Sequence, residues 1–422
     1  MRAVVVALGK IGLPIAVQIA LAGHDVTGCD IDARVVDLVG RGDEPFPGEA
    51  GLADALAGVV AAGRLRATAD TTGAVAAGAD LVIAVPPLVV DAEARPDFGA
   101  LDAVVAAIGR GLQPGTVVCV ETTLPVGTTR QRIAPALAEL SGLRSEIDFF
   151  TVHSPERVYS GRIFQDLKSY PKLVGGLSEA GEQRAIVCYS SFLEAEVRGM
   201  GGAEAAELTK LAETTYRDVN IGLANEFARF ADAAGIDFQR VREAANSQPF
   251  SHIHEPGIAV GGHCIPVYPR FYLAGDPAAR LAAVAREVNL DMPAYAVDQL
   301  ADALGSDLAG QRVLILGVTY RGDVKETAFS GAFDVHRELE RRGAQPLASD
   351  PLLAADEVTA LGFVAWDGEA VDAAIVQADH AAYARLTPAD VLGARAILDG
   401  RGILDPEGFA AAGIPLRRIG RR

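Results

Sequence analysis

The chain has 422 residues, half of them hydrophobic and only 6% aromatic, with a formal net charge of −17. That length suits two or three domains. The acidic balance argues against a general nucleic-acid or acidic-membrane surface and leaves any anionic small molecule to a local basic pocket. Four scattered cysteines, Cys29, Cys119, Cys188 and Cys264, have neither metal nor disulfide spacing. Met1 leads directly into an apolar run with no basic leader or cleavage pattern, and no apolar stretch is long enough for a bilayer, so a cytoplasmic location is expected. Only five lysines stand against 33 arginines, so each lysine is a candidate for a compact, titratable amine.

From the N-terminus, the apolar runs Ala3–Leu8, His24–Asp30, Asp80–Val85, Thr116–Glu121 and Phe149–His153 predict strands. Between them lie the helical patterns Ile11–Ala22, Asp32–Arg41, Gly51–Gly63 and Leu101–Leu112. Such alternation predicts a parallel, doubly wound sheet. From Ala203 to Ala245 the period becomes helical, with few breakers before Gly235. A helix of that length suits a bridge or a dimer interface. After a further helical stretch through Val297–Leu304, a strand at Arg312–Leu316, a helix at Ala332–Arg342 and a strand at Pro346–Asp350 begin a second Rossmann-like unit. The expected architecture is α/β, with two Rossmann-like domains, residues 1–195 and 301–422, joined by a helical region at 196–300 that carries the Cys264 loop.

The first strand runs into Ala7-Leu8-Gly9-Lys10-Ile11-Gly12, a tight turn opening a helix. Ala7 holds the first position of the G-x-G-x-x-G pattern, and Gly9 and Gly12 hold the second and third. The second glycine lets backbone approach a pyrophosphate at the helix N-terminus, and the third lets helix and strand pack. Asp30 ends the next strand, 18 residues after Gly12, where a carboxylate binds a ribose 2′-hydroxyl. With Asp32 adding repulsion toward a 2′-phosphate, this turn implies NAD over NADP; Arg34 is the group that would compensate a phosphate. An ordinary glycine turn in an α/β unit is the alternative.

Further along, Glu121-Thr122-Thr123-Leu124-Pro125 ends a strand at the sheet edge where ligands bind, and its hydroxyls can hold water or substrate. The alternative is a polar turn with a capping threonine. Glu156, in His153-Ser154-Pro155-Glu156-Arg157, is a candidate general base; otherwise it is a surface carboxylate paired with Arg157 or Arg162. Lys210, flanked by apolar positions in a helical pattern, suits alkoxide stabilisation or proton transfer; otherwise it is a helix-face lysine paired with Thr214 or Glu213. Cys264 lies in Gly257-Ile258-Ala259-Val260-Gly261-Gly262-His263-Cys264-Ile265-Pro266, on glycine-rich backbone that a substrate can approach. A thiol beside a nicotinamide cofactor permits a second oxidation, because its aldehyde adduct loses hydride and water then cleaves the thioester. A small buried hydrophobe is the plainer reading of this cysteine. His252, His254, His263 and Cys264 fit no strong zinc spacing, and no metal is expected.

Taken in order, these runs resemble the UDP-glucose/GDP-mannose dehydrogenase family over nearly the whole chain. The likeness rests on Leu8–Pro14, Thr123-Leu124-Pro125, the Lys210–Asn220 run and Gly261–Pro266. It continues in Gly317-Val318-Thr319-Tyr320, Ser349-Asp350-Pro351 and Asp399-Gly400-Arg401. Within that family, Ser154–Arg157 with Gly161-Arg162 looks most like the UDP-N-acetylmannosamine or UDP-N-acetylglucosamine 6-dehydrogenases. The resemblance implies two hydride transfers from a sugar C6 alcohol to NAD, giving a uronic acid. Cys264 would be the nucleophile, Lys210 the alkoxide stabiliser, Glu156 the base for thioester hydrolysis and Thr123 the residue that positions water. NAD contacts fall on Gly9, Lys10, Ile11, Gly12, Asp30, Arg34, Val85, Pro86 and Thr123. Substrate contacts fall on Glu156, Arg157, Lys210, Thr214, Gly261, Tyr268, Tyr320 and Arg321. The third domain would bind the nucleotide sugar, UDP-linked in the usual case, and the helical middle would form a homodimer.

The chain also departs from the family pattern. Tyr268 replaces an aspartate four residues after the cysteine, and Thr214 an asparagine four after the lysine. Phe250 replaces a substrate-binding arginine before the cysteine loop, Ala328 an arginine of the third domain, and Gly331 a proline. Two further readings follow: a dehydrogenase that stops at the aldehyde or takes an unusual nucleotide-linked alcohol, and a protein that binds NAD or a nucleotide sugar without catalysis.

Overall fold

The computed structural model describes residues 1–91, 93–159 and 161–421; Ala92, Ser160 and Arg422, the last residue of the expected third domain, lie outside it. The chain divides into two compact units, Met1–Glu213 with Arg270–Asp276, and Thr214–Pro269 with Pro277–Arg422. The division falls inside the helix Ala203–Ala234.

In the first unit, β1 (Arg2–Val6), β2 (Asp25–Cys29), β3 (Leu65–Thr68) and β4 (Leu81–Ala84) precede a short ribbon of β5 (Val89–Val90) and β6 (Pro96–Asp97). Then come β7 (Val117–Val120), β8 (Phe150–His153), β9 (Lys172–Gly176) and β10 (Val197–Gly199). The sheet order is β10-β9-β8-β7-β4-β1-β2-β3. Its strands are parallel except where β8 meets β9 antiparallel. Unbroken apolar runs such as Leu81-Val82-Ile83-Ala84 and Val117-Val118-Cys119-Val120 are buried along their length, as a sheet covered on both faces requires. Each predicted strand is present with its ends within two residues.

β1 stops at Val6 because Ala7 turns the chain with φ 74°, a left-handed conformation that glycine would adopt without strain. The Ala7 N–H still reaches the Cys29 carbonyl at 2.8 Å, which locks the turn against β2. Both neighbours of β1, β2 and β4, are reached by crossovers in opposite directions. That reversal of strand order places a ligand crevice at the carboxyl end of β1.

The predicted helix over 203–245 divides at Gly235, whose φ of 69° ends Ala203–Ala234, and Asp237 caps its continuation at Phe238–Asn246. In the second unit, β11 (Arg312–Leu316), β12 (Gln345–Ser349), β13 (Ala373–Val376), β14 (Ala396–Asp399) and β15 (Leu416–Arg418) form a parallel sheet in the order β12-β11-β13-β14-β15. Met292, Val297 and Leu300 of the helix Arg280–Leu304 pack with Val313, Ile315 and Ile375 in its core. Among the described residues no helix is long and apolar enough to cross a membrane.

Candidate active site

In the first unit, the carboxyl ends of β1, β2, β4 and β7 gather the residues expected to hold a dinucleotide. Gly12 opens the helix Gly12–Leu21, where a Cβ would stand 1.9 Å from the Ala7 carbonyl oxygen, so only glycine fits. Gly9 faces open space, with no heavy atom within 4 Å of where its Cβ would be. Ile11 is half-buried and Lys10 exposed beside it. Asp30 is anchored: its Oδ2 accepts from the Leu8 N–H at 2.7 Å and its Oδ1 from the Asp32 N–H at 2.9 Å. Each oxygen keeps a second acceptor site, enough for a ribose hydroxyl. Asp32 caps the helix Ala33–Arg41 and lies 3.8 Å from the exposed Arg34 guanidinium. Val85 donates to the Val6 carbonyl at 2.9 Å, and the Thr122 hydroxyl donates to the Pro86 carbonyl at 2.5 Å. Thr123 follows, buried. The open backbone at Gly9, the helix N-terminus and the fixed Asp30 carboxylate fit a pyrophosphate flanked by a ribose.

The Thr123 turn is held from below by a residue that the sequence did not single out. Buried Glu207 accepts from Gly127 N–H at 2.6 Å, Thr129 N–H at 2.8 Å and the Thr129 hydroxyl at 2.7 Å. Burial raises the pKa of Glu207 against those three donors. Lys210 lies three residues further along the same helix, half-buried, and therefore on the same side.

Glu156 is not the surface carboxylate of the plainer reading. Its side chain is 11% exposed, and its Oε2 lies 2.7 Å from Lys172 Nζ. Oε1 accepts from the Arg157 N–H at 2.6 Å and the Val158 N–H at 3.1 Å. The cations nearest in sequence are engaged elsewhere: Arg157 with Glu213 at 2.7 Å, Arg162 with Asp166 at 3.0 Å. Burial pushes Glu156 up, but the Lys172 ammonium, its hydrogen bond, the Arg157 N–H and the Lys210 charge hold the carboxyl below its ordinary range. Lys172 also meets Glu121 at 2.9 Å, and the Tyr189 hydroxyl donates to Glu121 Oε1. Burial lifts Glu121 to about 7, despite the pull of Lys172. Its place among the five lysines was the one signal for Lys172 in the sequence.

The second unit holds the cysteine loop. Asn220 accepts from the His254 N–H at 3.0 Å and donates to the His252 carbonyl at 2.7 Å; Asn225 accepts from the Gly257 N–H at 3.0 Å. Asn225 is fixed in turn by Asn289, which bonds Asp218, and Asp218 forms a buried two-pronged pair with Arg286. Gly261 sits where a Cβ would come within 2.8 Å of the Tyr320 Cβ and 2.9 Å of the Phe329 carbonyl, and Gly262 adopts φ 88°. Gly262 N–H bonds the Ala328 carbonyl at 3.0 Å. Cys264 follows, half-buried, its carbonyl accepting from the Tyr268 N–H at 2.9 Å at the start of the helix Tyr268–Gly275. The backbone is thus rigid while the thiol stays partly open. Thr214 is buried, and the Arg321 guanidinium stacks 5.5 Å from the Tyr320 ring centre. His263 lies 3.8 Å from Glu326, and among the described residues no three histidine, cysteine or acidic side chains gather as metal ligands would.

The structure therefore brings the expected cofactor residues, Thr123, Glu156, Arg157 and Lys210 into the first unit. Thr214, Gly261, Cys264, Tyr268, Tyr320 and Arg321 lie in the second.

Comparison with known proteins shows the family. Three models of the UDP-glucose/GDP-mannose dehydrogenase family match in order: the NAD binding domain over residues 1–193, the central domain over 204–291 and the UDP binding domain over 314–406. A UDP-N-acetyl-D-mannosamine dehydrogenase of Pyrococcus horikoshii is 33% identical over 423 residues, covering 98% of this chain and 99% of that protein. One of Methanocaldococcus jannaschii is 31% identical over 425 residues, covering 99% and 96%. The solved UDP-D-ManNAc dehydrogenase from Pyrococcus horikoshii superposes with a TM-score of 0.90 at 32% identity, covering 100% of this chain and 99% of that one. A UDP-glucose dehydrogenase from Pyrobaculum islandicum gives a TM-score of 0.88 at 26% identity, covering 100% and 98%. The chain belongs to the UDP-glucose/GDP-mannose dehydrogenase family and is an NAD-dependent oxidoreductase acting on a CH–OH group.

Proposed function

We propose that this protein oxidises the C6 primary alcohol of a UDP-linked sugar to a carboxylate in two hydride transfers, with Cys264 carrying the second. The observation that supports it is the Gly261–Gly262 turn: packing that admits only glycine fixes the backbone and leaves a half-open thiol at Cys264. The same unit contains the residues that match the UDP binding domain. Bound NAD supplies the hydride acceptor; Gly9, Gly12 and Asp30 orient it, with Lys10, Ile11, Arg34, Val85 and Pro86 around them.

Lys210 stabilises the alkoxide as the C6 hydroxyl releases its proton to solvent water and the carbon gives its first hydride to NAD. Cys264 thiolate then bonds to the aldehyde carbon, and the thiohemiacetal carbon gives up the second hydride. Water held by Thr123 attacks the thioester, Glu156 takes a proton from it, the carbon–sulfur bond breaks and the thiolate returns. The relatives from Pyrococcus horikoshii and Methanocaldococcus jannaschii are UDP-N-acetyl-D-mannosamine dehydrogenases, which makes that sugar the first candidate. Tyr216, Phe227 and Phe230 are exposed along the helix Ala203–Ala234, and this face is the homodimer contact in our reading.

One observation favours a second outcome. Tyr268 and Thr214 put neutral hydroxyl side chains where the family pattern carries aspartate and asparagine, so oxidation that ends at the aldehyde is the rival. The test is NADH formation with a panel of UDP-, GDP- and ADP-linked sugars. Turnover confined to UDP-N-acetylhexosamines is expected. Turnover of GDP- or ADP-linked sugars alone would overturn the substrate assignment.

A further inference from the structure

Beneath Glu156 lies a chain of buried groups to which the proposed reaction gives no task. A single ammonium, Lys172 Nζ, sits 2.7 Å from Glu156 Oε2 and 2.9 Å from Glu121 Oε2. Lys172 is 6% exposed and Glu121 is sealed from solvent, while Ile15, Leu167, Phe192 and Leu193 close the far side. Two carboxylates and one ammonium leave a formal charge of −1 in a dry site. Uncompensated buried charge is costly, and one proton removes it.

The two carboxylates divide that burden unequally. Glu156 also accepts two backbone N–H groups and feels the Lys210 charge, all of which favour its ionised form. Among the described residues, Glu121 is offered the Lys172 ammonium at ion-pair distance and the Tyr189 hydroxyl, and burial dominates it, lifting it to about 7. Among the described residues, Cys119 of β7 beside Glu121, His153 of β8 beside Lys172 and Tyr170 also face this chain. Arg157 adjoins Glu156 and is committed to Glu213, and Asp166 is committed to Arg162.

We propose that Glu121 is an interior proton acceptor for the hydrolytic half-reaction, reached from Glu156 through Lys172. The proton that Glu156 takes from the attacking water moves to Lys172 as Lys172 gives one of its own N–H protons to Glu121 Oε2. The ammonium is restored, Glu156 is ionised again, and no electrons change hands. When product has left, the proton returns to solvent by the reverse path. Lys172 and Glu121 act through Glu156 and are positioning residues for it. The proposal rests on the reading of Glu156 as the hydrolytic base.

The test compares thioester hydrolysis with the first hydride transfer in single turnovers across pH 5.5–9, following NADH by absorbance and the Cys264 adduct by intact mass. In the parent, the hydrolysis rate rises with pH through an inflection near 7, as Glu121 becomes able to accept a proton. Glu121→Gln keeps size and polarity but cannot take the proton; it should lower the ratio of hydrolysis to first hydride transfer about tenfold at pH 8 and erase the inflection. An unchanged ratio and inflection would overturn the proposal.

Should Glu121→Gln fail to fold, Tyr189→Phe decides. Losing the hydroxyl donor makes the Glu121 carboxylate harder to form, so the inflection should move to higher pH, and an unmoved inflection overturns the proposal. Glu156→Gln separates the two readings. Adduct accumulation in Glu156→Gln with normal hydrolysis in Glu121→Gln removes the relay alone, whereas normal hydrolysis in Glu156→Gln removes the base assignment and the relay with it.

Discussion

His153 ends β8 one residue before Ser154 and three before Glu156, and it is fully buried. Burial, with the nearby Lys172 charge, lowers its pKa to about 3. The folded state therefore holds the neutral ring, while the unfolded chain takes up a proton near pH 6.5. The stability tied to that difference is complete above pH 6.5 and is lost as pH falls toward 3, amounting to roughly 2 kcal/mol by pH 5. His153→Leu should therefore show a shallower loss of urea midpoint between pH 6.5 and 5 than the parent. An identical pH slope in the two proteins would contradict this account. At this scale the sequence placed candidate groups better than their partners. Glu156 was legible from its place after a strand, but its natural partners in sequence, Arg157 and Arg162, are not its partners in space. Lys172 reaches it because β8 and β9 are neighbours, a fact of strand order that no local pattern contains.

Elements were more legible than contacts. Strands buried on both faces announce themselves as near-continuous apolar runs, so β1, β4, β7 and β11 were readable almost to the residue. The antiparallel pairing of β8 and β9 was not, since direction depends on the connection and not on composition. The two sheets also repeat one device. Asp30, after β2, accepts from the Leu8 N–H, and Asp350, after β12, accepts from the Val318 and Thr319 N–H groups, each fixing the turn after the neighbouring strand. In the second unit, the cysteine loop depends on the polar contacts between the helices Ala203–Ala234 and Arg280–Leu304. Arg286→Met would leave Asp218 buried without its guanidinium and should cost about 3–5 kcal/mol in urea unfolding. Replacing both partners, as Asp218→Leu with Arg286→Met, should restore most of that loss. A single variant within 1 kcal/mol of the parent would show that the pair does not hold the loop.

At the scale of the whole chain, the order of the three family regions was readable because each begins with its own signature: the Ala7–Gly12 turn, the Lys210 helix and the Gly317 turn. The division into two compact units inside a continuous helix was not readable, because helical periodicity runs unbroken through Glu213 and Thr214. The family fixes NAD and a CH–OH donor, and the central claim left to experiment is that Cys264 takes the reaction past the aldehyde. The most direct measurement is the NADH formed per UDP-sugar consumed, with product mass, for the parent and for Cys264→Ser. Two NADH and a carboxylate from the parent, with no carboxylate but retained NAD binding in Cys264→Ser, is the predicted result. One NADH with an aldehyde from the parent, or carboxylate formed at the parental rate by Cys264→Ser, would contradict it.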